Sequence, residues 1–335
     1  MQIAEIDLGK YSNRFSSYTE LRLHENRSQS IVLLNGDVVS NARDTTGGVS
    51  ARVFNGGTWG FSSNPDMSND AIDGTISAAT RNADFLARRC GNEDAALPLS
   101  NASADSDFST KKTLKTQEEK IAFLTEIDNY IVSSFPDVVS RQVLLSCLDM
   151  EKKLQTSEGS NGHNVTTRSL IAVKLTTENE NKEPVELSEA IGARGQYEDV
   201  FESMDTIIPA LDKLYAQLLD KKEAVQPISG YHDVILASDL AGILAHEAIG
   251  HTTEADIVRA GSVAADYLNK KVASDLITLV DFANTYEGET LPVPIYLDDE
   301  GVESLDAVII EDGVLKSYID RKSTRLNSSH MSISY

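Results

Sequence analysis

From Leu21 to Phe61 the apolar residues recur mostly at every second position, the period of half-buried strands. Leu21-Arg22-Leu23-His24 alternates, and Ser30-Ile31-Val32-Leu33-Leu34 follows it. Asn35-Gly36 then favours the left-handed angles of a tight hairpin before Val38-Val39-Ser40 leads away. A second hairpin is predicted from 49–54 and 58–61, turning at Asn55-Gly56-Gly57. His24 is expected on the solvated face of its strand and Trp59 in sheet packing.

From Ser68 the spacing changes to three and four. Ala71, Ile72, Ile76, Ala79, Ala83, Leu86 and Ala87 mark a helix ending at Cys90-Gly91. The polar stretch 92–116 reads as a loop. Thr116-Gln117-Glu118-Glu119 then opens a second helix in the manner of a capping box. Strands are predicted over 138–148, 165–175 and 185–191, with His163 exposed beside the polar break at 157–162. Gly192-Ala193-Arg194-Gly195 lacks the ending of a phosphate loop and the pattern of a dinucleotide fold, so no cofactor-binding loop is assigned. A third helix over 205–223 carries Ile207, Ile208, Leu211, Leu214, Leu218 and Leu219.

Beyond it the pattern predicts strands at 233–237, 276–281, 293–298, 306–311 and 314–319, the last pair joined by Asp312-Gly313. Ser238 or Asp239 is expected to cap a helix leading into His246. The fold class is therefore α+β. An N-terminal mixed α/β domain of antiparallel hairpins and covering helices occupies residues 1–224, and a β-rich domain occupies 225–321.

The chemistry concentrates in Ala245-His246-Glu247-Ala248-Ile249-Gly250-His251. Imidazole nitrogen ligates zinc, and a neighbouring Glu can take a proton from water at such an ion. Zinc-protease helices space their histidines four apart, so that both share a face. Here the spacing is five, which on a regular helix turns the second ring about 140° away. A π-bulge would restore the alignment, and Gly250 is a suitable place for the distortion. The alternative is a helix end with one buried and one exposed histidine. Downstream, Glu254 and Asp256 are candidates either to ligate the metal or to orient a ligating histidine. His163 reads as an exposed residue and His232 as a surface or packing one.

Composition narrows the function further. Thirty Lys plus Arg against 52 Asp plus Glu give a net charge of -22, which repels phosphate and argues against direct nucleic acid binding. Two cysteines, Cys90 and Cys147, form no disulfide framework and read as small hydrophobes. No apolar run reaches membrane-spanning length, and the start lacks a signal-peptide pattern, so a cytoplasmic location is expected.

These residues resemble the TldD/PmbA metallopeptidases. The likeness rests on His246 to His251, on Glu254-Ala255-Asp256, and on Val280-Asp281, Leu297-Asp298-Asp299-Glu300-Gly301 and Val308-Ile309-Ile310-Glu311-Asp312-Gly313. Glu25-Asn26-Arg27-Ser28 and the hairpin from Gly48 to Phe61 are similar to that family's first domain. The resemblance implies a zinc-dependent peptidase acting on short or unfolded peptides, with His246 and His251 as ligands and Glu247 as general base. It also implies a homodimer, or a heterodimer with a paralogous subunit, enclosing a peptide-accepting cavity. The non-catalytic paralogues lack the histidine motif, so this chain resembles the catalytic type. The family's third zinc ligand is a cysteine near the C-terminus of a longer chain, which neither Cys90 nor Cys147 matches. The sequence is thus expected to be C-terminally truncated, with 322–335 a non-native tail and Glu254 or Asp256 standing in as ligand. The alternative is a non-hydrolytic peptide-binding or partner subunit with an incomplete metal site.

Overall fold

In the computed structural model, which describes residues 3–91, 97 and 100–319, Asn35 and Gly36 take φ of 52° and 90° and turn the chain as their types predict. They join β1 (Tyr18–Leu34) to β2 (Asp37–Asn55), antiparallel along their whole length. Each is one long strand where hydrophobic alternation predicts two short ones. The middle of β1 stays in the ladder because its side chains are satisfied by ion pairs: Arg27 reaches Glu25 at 2.7 Å and Glu151 at 2.9 Å. Around this hairpin assemble β3 (Thr58–Asn64), β4 (Ser103–Asp107), β5 (Ser140–Thr156), β6 (Asn161–Glu178) and β7 (Pro184–Arg194). The sheet runs β3-β2-β1-β5-β6-β4, with β7 also on β6. Every pairing is antiparallel except β4 on β6.

Strand β4 corrects the reading of 92–116 as loop. Ser-Ala-Asp-Ser-Asp shows no apolar alternation, and its strand character comes from backbone pairing with the first residues of β6.

Two apolar cores form against the sheet. Leu21, Leu23, Ile31 and Leu33 share the odd face of β1, so one strand serves both. The first core sets Leu21, Leu23 and Val53 against Ile72, Ile76 and Ala79 of α1 (Asn69–Cys90). Here Gly60 is required by contact: a Cβ would lie 2.1 Å from the Ala79 carbonyl oxygen. The second core packs Ile31, Leu145 and Ile171 against α2 (Gln117–Ser134), α3 (Tyr197–Val200) and α4 (Ile208–Lys222). The Thr116 capping box forms as predicted, closing with the Glu119 side chain on the Thr116 N–H at 2.7 Å.

After α4 the packing thins. The strand predicted over 233–237 does not form. No partner pairs with it among the described residues, and Ile235 is 100% exposed, since an apolar run becomes a strand only where a ladder is available. Strands β8 (Leu279–Asp281), β9 (Thr285–Tyr286), β10 (Glu289–Thr290), β11 (Ala307–Glu311) and β12 (Val314–Leu315) are short. Three of them form a sheet ordered β12-β11-β8, over a small core of Ala264, Ala307, Ile309, Ile310, Leu315 and Ile319. The Asp312-Gly313 turn joins β11 to β12 with φ of 49° and 77°.

The expected strand at 293–298 is instead an irregular segment laid on the large sheet, tied to the rest of its region by a bridge from Leu297 to Glu303. The following turn anchors it. Arg22 and Lys152 reach Asp299 at 3.3 and 3.4 Å, Arg52 reaches Glu300 at 3.3 Å, and the Ser160 hydroxyl donates to the Gly301 carbonyl at 2.7 Å. Gly301, with φ of 79°, seats so closely that a Cβ would lie 2.6 Å from that of Ser160. Among the described residues no helix is long and apolar enough to cross a membrane. The tail 322–335 lies outside the described residues.

Candidate metal centre

Helix α5 (Ser238–Leu244) starts after Ala237, which makes no side-chain cap bond, so neither Ser238 nor Asp239 serves as the expected N-cap. At Ala245 the helix widens. Residues Ala245–Gly250 form a π-helical turn, and the His251 N–H bonds to the His246 carbonyl across five residues. This is the bulge that the five-residue spacing requires. Its consequence is that the His246 and His251 rings lie 4.6 Å apart, centroid to centroid. Gly250 adopts φ of -50° and ψ of -64°, a helical pair open to any residue, so its backbone freedom is not what permits the bulge.

The widened turn is closed by hydroxyls that the sequence reading did not single out. Thr252 Oγ1 donates to the Ile249 carbonyl at 2.9 Å, and Thr253 Oγ1 to those of Ile249 and Gly250, both at 2.9 Å. Such hydroxyls satisfy carbonyls that a helix end leaves without partners. The signal was present as two consecutive threonines after the second histidine. A tertiary contact pins the same segment: the Ile319 N–H donates to the Thr253 carbonyl at 2.8 Å, and the Ala255 N–H to that of Ile319 at 3.1 Å.

Candidate ligand atoms on His246, Glu247 and His251 all lie within 4.8 Å of one another. Glu247 Oε2 is 3.9 Å from His251 Nε2. On the other side of the ring, His251 Nδ1 meets Glu254 Oε1 at 2.5 Å. An ionised carboxylate only accepts, so Nδ1 carries the proton there and Nε2 keeps its lone pair for a ligand. Glu254 is suited to this positioning because it is buried and its backbone bridges to Ile319. Asp256 is not part of the cluster: it is exposed and accepts from the Ile257 N–H at 2.9 Å. Neither cysteine contributes, Cys90 being exposed on α1 and Cys147 lying in β5.

The two imidazoles suit zinc. Ligand atoms around a tetrahedral zinc stand about 3.3–3.5 Å apart, within reach of small rotations of exposed rings whose candidate atoms already lie inside 4.8 Å, with the Glu247 carboxylate beside them. The other histidines among the described residues are elsewhere. His163 lies 3.1 Å from Glu151 and 3.3 Å from Asp105 and is half-buried rather than exposed. His24 bonds to Asn26 at 2.9 Å and is half-buried rather than solvated, and exposed His232 meets the Ile228 carbonyl at 2.9 Å.

Two models of one family match the chain: PmbA/TldA metallopeptidase domain 1 over residues 19–83 and the PmbA/TldA metallopeptidase C-terminal domain over 229–327. A zinc metalloprotease TldD homolog of Saccharolobus solfataricus is 28% identical over 273 residues, 81% of this chain and 58% of its own length. A metalloprotease of Methanocaldococcus jannaschii is 29% identical over 311 residues, 92% of this chain and 66% of its own. The chain therefore spans roughly three-fifths to two-thirds of these relatives. The fold is similar to the crystal structure of a Bacteroides thetaiotaomicron protein described as a candidate modulator of DNA gyrase, with TM-score 0.71 and 16% identity, covering 95% of this chain and 72% of that one. It is also similar to TldE of Thermococcus kodakarensis, with TM-score 0.64 and 13% identity, covering 92% and 68%. With both ends of the chain matched to one family and the histidine turn shaped as its spacing demands, this protein belongs to the TldD/PmbA family.

Proposed function

We propose that the chain is a zinc-dependent peptidase acting on short or unfolded peptides, and that His246 and His251 hold the metal while Glu247 is the general base. The carrying observation is the π turn, which brings two imidazoles and a carboxylate together at the exposed end of a helix. Zinc bound there would supply a Lewis acid that polarises the scissile carbonyl and acidifies water. Glu247 takes the proton from the attacking water and delivers it to the departing amine, so that a neutral amine leaves. Glu254 holds the His251 tautomer and ring orientation through its Nδ1–H. Names of the relatives as metalloproteases support this reading.

Assembly with a second copy or a paralogous subunit belongs to the same proposal. It is supported by the likeness to TldE and by the exposed Val225, Ile228, Tyr231, Val234 and Ile235, an apolar run of the kind that marks interaction sites.

The test is metal analysis after exhaustive dialysis, paired with cleavage of unstructured peptides. We expect about one zinc per chain, and in Glu247→Gln a loss of cleavage of about a hundred- to ten-thousandfold with zinc retained. Cleavage that survives the substitution would refute the role of Glu247. A second reading, a non-hydrolytic peptide-binding partner with an incomplete site, is favoured by the absence of a cysteine from the cluster among the described residues. Zinc that washes out on dialysis, with peptide binding retained, would decide for it.

A further inference from the structure

A cavity of about 240 Å³ lies between the large sheet and the 293–299 segment, and it shares no lining residue with the histidine turn. Its walls are mixed in a particular way. Met150, Ala104 and the 293–297 segment are largely apolar, while Arg22, Lys152 and Asp299 bring charge.

The two cations share a single acid. Arg22 Nη1 is 3.3 Å and Lys152 Nζ 3.4 Å from the Asp299 carboxylate, and that side chain is still 47% exposed. Lys153 is not paired with this acid, its ammonium donating instead to the Ala4 and Ile6 carbonyls. His24 adds no charge near neutrality: burial, and then the field of Lys152, hold its imidazole below the usual range. Asp299 itself is pulled below the usual carboxylate range, since Lys152 and Arg22 outweigh the effect of its burial. Asp298, the other carboxylate lining the space, accepts from the Glu300 and Val302 N–H groups at 2.9 and 2.7 Å, so among the described residues Asp299 is the acid within ion-pair distance of both Arg22 and Lys152. The Ser106 hydroxyl, which accepts from Asn164 at 2.6 Å, also lines the space and keeps its proton to donate.

We propose that this cavity is a binding site for a small amphipathic carboxylate of the kind presented by the C-terminal residue of a peptide. The carboxylate sits between Arg22 and Lys152 in place of a bond to Asp299, the apolar side chain lies against Met150 and residues 293–297, and the preceding amide accepts from Ser106. The volume suits one side chain and one amide rather than a long ligand. Charge-assisted hydrogen bonds to two cations discriminate strongly against an uncharged isostere. This site does not depend on the peptidase reading, because it is tested by binding alone.

The experiment is calorimetric titration of the full chain with N-acetyl-leucine, its neutral amide and hexanoate. N-acetyl-leucine is expected to bind about tenfold more tightly than the amide, and more tightly than hexanoate, which lacks the group facing Ser106. Ala104→Phe, on edge strand β4, fills the cavity without touching a charge and is expected to abolish binding while the melting curve is kept. Asp299→Asn removes the competing carboxylate and is expected to strengthen binding several-fold. Absence of saturable binding at millimolar concentration, equal binding of acid and amide, or unchanged binding in folded Ala104→Phe protein would each overturn the proposal. Tighter binding of hexanoate than of N-acetyl-leucine would overturn its assignment to a peptide terminus.

Discussion

The large sheet and the histidine turn achieve order by opposite means. In the sheet region, Leu21, Leu23, Leu124, Ile127, Leu145 and Ile171 are wholly buried, and strands of 17 to 19 residues share ladders along most of their length. Around the turn, α5 has no buried residue, and Leu240, Ile243 and Leu244 are exposed. Its geometry rests on local hydrogen bonds, from Thr252 and Thr253 to the preceding carbonyls and from His251 to Glu254, together with the contacts of Ile319. Burial fixes the scaffold, and directional polar contacts fix the candidate site. The two should therefore respond to different perturbations.

The largest effect should come from the core. Leu124→Ala removes a fully buried side chain between α2 and the sheet and should cost about 2–5 kcal/mol in urea unfolding. Zinc binding per folded molecule should not change. A matching loss of zinc affinity would show that the turn is coupled to the sheet core. Next in size is Glu254→Gln, which weakens the acceptor on His251 Nδ1 and should lower zinc affinity about 10- to 100-fold with little change in unfolding. An unaltered affinity would remove Glu254 from the account of the site.

The smallest effect belongs to the join between the regions. Burial, opposed by Arg52 and reinforced by Glu300, raises Glu20 from 4.5 to about 7. The folded state thus holds this proton more tightly than the unfolded chain. The stabilisation is complete below the unfolded value and is lost as pH rises through about 7. Melting temperature should fall between about pH 5 and pH 8, and Glu20→Gln should flatten that decline. An identical slope in the variant would mean that another group carries the dependence.

Legibility in the sequence followed the range of the interaction. The turns at Asn35-Gly36 and Asp312-Gly313, the Thr116 capping box and the amphipathic helices were readable because each is set within a few residues. The helix at α4 begins at Ile208 rather than 205, a shift confined to its first turn. Strand β4 was unreadable because its sequence is polar and its conformation comes from β6. The strands expected at 233–237 and 293–298 failed for the complementary reason. Apolar content was present, but one segment has no ladder partner among the described residues and the other lies on the sheet through Leu297 and the turn at 298–301. The charged cavity escaped notice because Arg22, Lys152 and Asp299 come from distant parts of the chain.

The sequence by itself determined that on a regular helix His246 and His251, five positions apart, would face about 140° away from each other, so that sharing an ion calls for a distortion such as a widened turn. It also determined the acidic charge and the alternating strands of the first half. Tertiary structure alone decided which carboxylate serves which histidine. Glu254 and Asp256 stand two residues apart with similar chemistry, yet the bridge to Ile319 turns Glu254 inward to His251 and leaves Asp256 on the surface. That choice depends on a contact across some sixty residues of chain, which no local pattern encodes.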